Sequence, residues 1–213
     1  MRCDKKDLLL YGVTDRSWLG DRTLAQQVEA SLRGGATMIQ LREKHMDRGS
    51  ILAQALELRE LCGRYGVPLI LNDDAELAQA AGADGVHVGQ SDMEAGRVRA
   101  LLGEDKLIGV SARTVEQALA AQAAGADYLG VGAMFPTGTK QDTRPVSYDT
   151  LKAICAAVDI PVVAIGGIGA GNVAELAGSG IAGVAVVSAL YAQPDMEAAT
   201  RSLRAQVERV VGP

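Results

Sequence analysis

Short apolar, β-branched runs alternate with longer segments of helical period along the chain, and this alternation limits the fold more than any other feature. The runs are Leu8–Val13, Met38–Leu41, Leu69–Leu71, Gly85–Val88, Leu107–Val110, Tyr128–Val131, Val162–Ile165 and Ala182–Val187. Repeated βα units imply a parallel sheet, and eight of them predict a closed (β/α)8 TIM barrel. Parallel strands covered on both faces should be continuously apolar, as Val162 to Ile165 and Gly183 to Val187 are. Between the runs, Leu52, Ala55, Leu56 and Leu58 separate from Gln54, Glu57 and Arg59 as on an amphipathic helix.

Punctuation recurs before every second strand. Gly35-Ala36, Ala81-Gly82-Ala83-Asp84, Ala124-Gly125-Ala126-Asp127 and Gly180-Ile181 each offer a glycine suited to a left-handed helix cap, as a barrel of four two-unit quarters requires. With no linker or low-complexity segment, residues 1–213 are expected to form one catalytic domain. An open doubly wound sheet is the alternative, but no G-x-G-x-x-G follows the first strand.

Composition narrows the partners. At 48% hydrophobic residues the chain can bury a full core, while a net charge of −5 and 3% aromatics argue against a nucleic-acid partner. Cys3, Cys62 and Cys155 are odd in number and lack Cys-x-x-Cys spacing, so neither a disulfide framework nor a zinc site is indicated. The charged stretch Arg2 to Asp7 precedes only a short apolar run, below the length of a signal-peptide core. The run Ile181 to Ala192 is shorter than the roughly 18 residues needed to cross a bilayer. A cytoplasmic protein with no membrane partner is expected.

In such a barrel, functional groups should stand just after the C-terminal strand ends. After strand two, Gln40, Arg42 and Lys44 share one face of an extended segment, an amide and two cations suited to a diphosphate or simply to a solvated strand end. After strands three and four stand Asn72-Asp73 and Gln90-Ser91-Asp92. Two aspartates without soft ligands suit Mg²⁺, which takes few carboxylates plus phosphate oxygens. Both also precede expected helices, where Asp is a preferred N-cap, and spacing alone favours capping. His87 reads as a core histidine. After strand six, Thr137-Gly138-Thr139-Lys140 permits close approach to an anion or forms an ordinary turn. Gly166-Gly167-Ile168-Gly169 and Val187-Ser188-Ala189 precede expected helices after strands seven and eight, where barrels often bind phosphate; tight turns explain the glycines equally well.

Together, Gln40 to Lys44, Asn72-Asp73, Gly85-Val86-His87-Val88-Gly89-Gln90 with Asp92, Thr137 to Lys140, Gly166-Gly167-Ile168 and Val187-Ser188 resemble the thiamine phosphate synthase family. The resemblance runs from Val13-Thr14-Asp15 to about Leu190. It implies a transferase that joins two small phosphorylated heterocycles, a hydroxymethylpyrimidine diphosphate and a hydroxyethylthiazole phosphate or its carboxylated form, with Mg²⁺ as cofactor. By this resemblance Gln40, Leu41, Arg42, Glu43, Lys44, Asn72, Ser111 and Lys140 hold the pyrimidine substrate. Asp73 and Asp92 hold the metal, and Thr137, Gly138, Thr139, Gly167, Val187 and Ser188 hold the thiazole phosphate. Arg42, Lys44, Lys140 and Ser111 are then the catalytic candidates. Position 74 is Asp, where many relatives carry Arg after the Asn-Asp pair.

Three rivals share parts of this pattern. A thiazole tautomerase has no diphosphate to expel, which the cations and the aspartate pair oppose. A phosphosugar isomerase or epimerase should show an acid–base pair at the mouth. A non-catalytic binder of thiamine precursors would take up ligand without releasing diphosphate.

Overall fold

The computed structural model describes residues 3–138 and 145–212. Within them eight parallel strands close into a barrel in sequential order: β1 Leu10–Val13, β2 Met38–Leu41, β3 Leu69–Asn72, β4 Gly85–Val88, β5 Leu107–Ala112, β6 Tyr128–Gly132, β7 Val162–Ile165 and β8 Gly183–Val186. Pairing of β1 with β8 completes the ring. Around it lie α1 Leu24–Arg33, α2 Arg48–Tyr65, α3 Ala75–Ala81, α4 Ala95–Leu102, α5 Val115–Ala123, α6 Tyr148–Ala157, the single-turn α7 Ser188–Tyr191 and α8 Met196–Val211.

The expected punctuation has a concrete basis. Gly35, Gly82, Gly125 and Gly180 all have positive φ, between 62° and 96°. The aspartates that follow two of them bind the start of the preceding strand: Asp84 accepts from Leu69 N–H and Asp127 from Ile108 N–H, both at 2.8 Å. Before β2, Thr37 does the same for Leu10 at 2.9 Å. Every helix start but that of α7 is fixed by a side-chain oxygen, as in the α1 capping box of Thr23 and Gln26.

Alternation sorts the strand residues into two layers. Ile39, Leu41, Leu71, Val86, Ile108, Leu129 and Val184 face the helices, whereas Tyr11, Met38, Ile70, Leu107, Tyr128, Val163 and Ala185 fill the barrel interior. Residues two or four further along the inward face reach the mouth, which places Gln40, Asn72, His87 and Ser111 there.

Several expectations need correction. Leu8 does not begin β1 but ends a 3-10 turn, Lys5–Leu8, started by the Asp4 carboxylate; its side chain is fully buried in the interior cluster. Leu56 is 47% exposed, because the buried stripe of α2 runs through Ala55, Leu58 and Cys62 and position 56 lies about 100° around the helix from Ala55. After β7 the expected helix is only a 3-10 turn, Val173–Leu176, followed by positive-φ Gly178 and Gly180. The three cysteines are free, and burial pushes the Cys62 thiol up to about 12.

Candidate active site

The C-terminal mouth of the barrel holds a cavity of about 170 Å³ that opens into a wider cleft. Arg42, Thr137, Gly167 and Ser188 line both spaces. Gln40, Asn72 and Ser111 line the inner one, and Lys44 and Gly138 the outer.

The segment after β2 is clamped from the loop after β1. Thr14 N–H donates to Gln40 O at 2.9 Å, and Arg42 N–H donates to the Thr14 hydroxyl at 3.0 Å. Glu43 lines the outer cleft beside Arg16, and its carboxylate pairs with Arg16 and accepts the N–H groups of Lys44 and His45. Burial alone would raise the Glu43 carboxyl, but those donors and the Arg16 guanidinium hold it below the usual range. Leu41 is buried against the helix layer. Within the Gln40–Lys44 stretch, Gln40 and Arg42 thus reach the inner cavity, Glu43 and Lys44 reach the cleft, and Leu41 anchors the segment.

The aspartates are not the helix caps that spacing favoured. Asp74 caps α3, accepting from Leu77 N–H at 2.8 Å, and Glu94 caps α4, accepting from Gly96 N–H at 3.1 Å. Both helices begin later than the sequence suggested. Asp73, at φ 66°, lies in the left-handed region and is ion-paired with Lys44. Asp92 folds back onto its own turn, accepting from Gly89 N–H at 2.7 Å. Partial desolvation and the facing Asp73 carboxylate raise the Asp92 carboxyl above the ordinary range. Two hard oxygen donors that repel one another in this way fit a small divalent cation. No cluster of three or more His, Cys, Asp or Glu side chains with metal-binding arrangement occurs among the described residues. Asp74 also pairs with Arg48 at 3.2 Å, so its charge is partly answered on the helix side.

Loops after β6 and β7 are interlocked. Phe135 N–H donates to Gly166 O at 3.0 Å, and a Cβ on Gly167 would stand 2.5 Å from Pro136 O. Asn172, unremarked in the sequence, staples the Gly-Gly-Ile-Gly turn by accepting from Gly169 N–H and donating to Gly167 O, both at 2.9 Å. Val187 and Ser188 line the cavity beside that turn, with Ser188 opening α7. Thr139 and Lys140 lie outside the described residues.

His87 is not merely a core residue. It lines the cavity, with Nε2 2.9 Å from the Ser111 hydroxyl and Nδ1 3.2 Å from the Tyr128 hydroxyl. The signal was present in the strand period, since His87 shares the inward parity of Asn72 and faces Gly109, a position without a side chain.

A closed barrel whose C-terminal mouth gathers cationic, acidic and hydroxyl groups around a cavity is the architecture of a (β/α)8-barrel enzyme. The sequence model of the family described as thiamine monophosphate synthase matches residues 10–190. A thiamine-phosphate synthase of Ruminiclostridium cellulolyticum is 48% identical over 199 residues, 93% of this chain and 95% of the relative. One of Chloroflexus aurantiacus is 50% identical over 202 residues, 94% and 93% of the two chains. The solved thiamine phosphate pyrophosphorylase of Pyrococcus furiosus superposes with a TM-score of 0.90 at 38% identity, covering 98% of this chain and 99% of its own. The chain belongs to the thiamine monophosphate synthase family.

Proposed function

We propose that this chain condenses hydroxymethylpyrimidine diphosphate with hydroxyethylthiazole phosphate to thiamine phosphate and diphosphate; with the carboxylated thiazole phosphate, carbon dioxide leaves as a third product. The observation that carries the reading is the meeting at one mouth of Arg42 and Lys44 with the facing Asp73 and Asp92 carboxylates, in a chain of this family. Gln40, Asn72 and Ser111 would hold the pyrimidine ring in the inner cavity, with Arg42, Lys44 and Lys140 on its diphosphate. Thr137, Gly138, Thr139, Gly167, Val187 and Ser188 would take the thiazole phosphate.

The reaction needs no side-chain nucleophile. The bond from the pyrimidine methylene carbon to the diphosphate oxygen breaks, the electron pair leaves with diphosphate, and the thiazole nitrogen lone pair forms the new bond to carbon. Negative charge grows on the leaving group, so Arg42, Lys44 and Lys140 stabilise the transition state more than the ground state. Asp73 and Asp92 would hold Mg²⁺, which when bound neutralises diphosphate oxygens. Lining by Val163, Ile165 and Ala185 limits water around the electron-poor carbon.

We read residues 1–213 as one catalytic domain acting in the cytoplasm, with no nucleic-acid partner. Its free cysteines support a reducing compartment, and no helix among the described residues is long and apolar enough to cross a membrane. Incubation with both heterocycles and Mg²⁺ should give thiamine phosphate and diphosphate in equal amounts; a product lacking either heterocycle contradicts the reading.

A further inference from the structure

Beneath the mouth, five side chains form a continuous hydrogen-bonded chain. Gln40 Nε2 donates to the Tyr11 hydroxyl at 2.7 Å, and the Tyr11 and Tyr128 hydroxyls are 3.0 Å apart. The Tyr128 hydroxyl is 3.2 Å from His87 Nδ1, and His87 Nε2 is 2.9 Å from the Ser111 hydroxyl. Its two ends, Gln40 and Ser111, line the cavity together with Tyr11 and the half-buried His87, while Tyr128 is fully buried behind them. The imidazole fits because its neighbours on β5 and β6 are glycines: a Cβ on Gly109 would lie 2.4 Å from His87 Nδ1, and one on Gly130 3.0 Å from His87 Cε1.

We infer that the Tyr11–Tyr128–His87 chain sets the hydrogen-bonding polarity of Gln40 and Ser111, and thereby makes the pyrimidine site select an aminopyrimidine over its oxo counterpart. This rests on the assignment of Gln40 and Ser111 to the pyrimidine diphosphate. The three residues act as positioning residues for the two that meet the ring.

Proton counting gives the polarity. Each phenol has one proton, and burial keeps both phenols protonated. Tyr11 accepts from Gln40, so its own proton goes to the Tyr128 oxygen, and the Tyr128 proton goes to His87 Nδ1. An imidazole that accepts at Nδ1 carries its proton on Nε2 and donates to Ser111 Oγ. Ser111 therefore offers its hydroxyl proton to the cavity, while Gln40 offers its Oε1. Reversing the Gln40 amide would require Tyr11 to donate to it, which turns every link around and makes Ser111 an acceptor for ligand. Gln40 and Ser111 cannot change independently.

The pyrimidine of thiamine presents an amino donor beside a ring-nitrogen acceptor, which complements Oε1 of Gln40 and the hydroxyl proton of Ser111. An oxopyrimidine presents the opposite pair, a carbonyl acceptor beside a ring N–H donor. It would set acceptor against acceptor and donor against donor, leaving buried polar groups unpaired.

The test is calorimetric binding of the amino and oxo pyrimidine diphosphates, with Mg²⁺, to the wild-type protein, Tyr128→Phe and Tyr11→Phe. Tyr128→Phe removes the hydroxyl between Tyr11 and His87, and Tyr11→Phe frees the Gln40 amide. The wild-type protein should prefer the amino compound, and the ratio of the two Kd values should fall about tenfold in each variant, the scale of one ordinary buried hydrogen bond. Unfolded protein cancels from this ratio, because both ligands are measured on the same preparation. An unchanged ratio in both variants, or no preference in the wild-type protein, overturns the inference. Diphosphate release assayed in parallel separates the two readings: a wild-type protein that binds selectively but never turns over sinks the condensation reading alone.

Discussion

Lys44, on the loop after β2, is ion-paired with Asp73, which directly follows β3. On the proposed assignment, the cation for the diphosphate and the carboxylate for the metal are thus paired with each other. Binding of metal and diphosphate would exchange these partners, the carboxylate going to the cation and Lys44 to the phosphate oxygens. Lys44→Gln should therefore bind Mn²⁺ alone more tightly than the wild-type protein, because a competing positive charge is gone. Its turnover should fall roughly 10²-fold to 10³-fold, the usual cost of one charge-stabilising donor. Electron paramagnetic titration of free Mn²⁺ reads the first effect, and weaker metal binding in the variant would contradict it.

Asp92 supplies a stability prediction with a definite sign. Its folded-state carboxyl is raised above the unfolded value by partial desolvation and by the facing Asp73. A raised acid disfavours ionisation in the fold, so stability is lost as pH rises from the unfolded value through the folded one, and the loss persists at neutral pH. In chelator, Asp92→Asn should melt above the wild-type protein near pH 7, with the gap closing on acidification. Added Mg²⁺ should raise the wild-type Tm more than that of the variant. A lower Tm for Asp92→Asn throughout would mean that its contact with Gly89 outweighs the repulsion.

Adjacent aspartates should separate cleanly into stability and function. Asp74→Ala removes the α3 cap and should cost about 1 kcal/mol in denaturant unfolding, with turnover near that of the wild-type protein. Asp73→Asn keeps a residue tolerated at positive φ and should instead cut turnover with little change in stability. Equal loss of turnover in both would place Asp74 in the site as well.

Bulk at Gly167 would meet the protein before it met a phosphate. At φ 67°, with a Cβ 2.5 Å from Pro136 O and 2.7 Å from Phe135 O, Gly167→Val should displace the loop after β6 and raise the KM of both substrates. Ser188→Ala is the cleaner probe, since Ser188 opens α7 at the cavity edge; it should raise the thiazole-phosphate KM more than the pyrimidine KM. Equal effects in Ser188→Ala would contradict its assignment.

The barrel was legible because each strand carries its own apolar run and because Gly82, Asp84, Gly125 and Asp127 mark strand entry by a mechanism that survives in the fold. Element edges were less so. Leu8 is as apolar as a strand residue, but the Asp4 cap commits it to a turn, and the caps of α3 and α4 fall at Asp74 and Glu94 rather than at the aspartates nearest the strands. The positive φ of Asp73 has no sequence signature. His87 was misread because hydropathy places it within an apolar strand, whereas its partners Ser111 and Tyr128 come from β5 and β6 and meet it only when the barrel closes. Asn172 acts through the turn after β7, whose geometry composition does not reveal.

The most direct test of the condensation is the time course of diphosphate release under four conditions: both heterocycles with Mg²⁺, each heterocycle alone with Mg²⁺, and both in excess chelator. Sustained release should require both heterocycles and the metal, and should match thiamine phosphate formed, mole for mole. Equal release from the pyrimidine diphosphate alone would make the chain a hydrolase of that compound, and full release in chelator would remove the metal from Asp73 and Asp92. No release under any condition, with both ligands bound, would make it a binding protein and contradict the account.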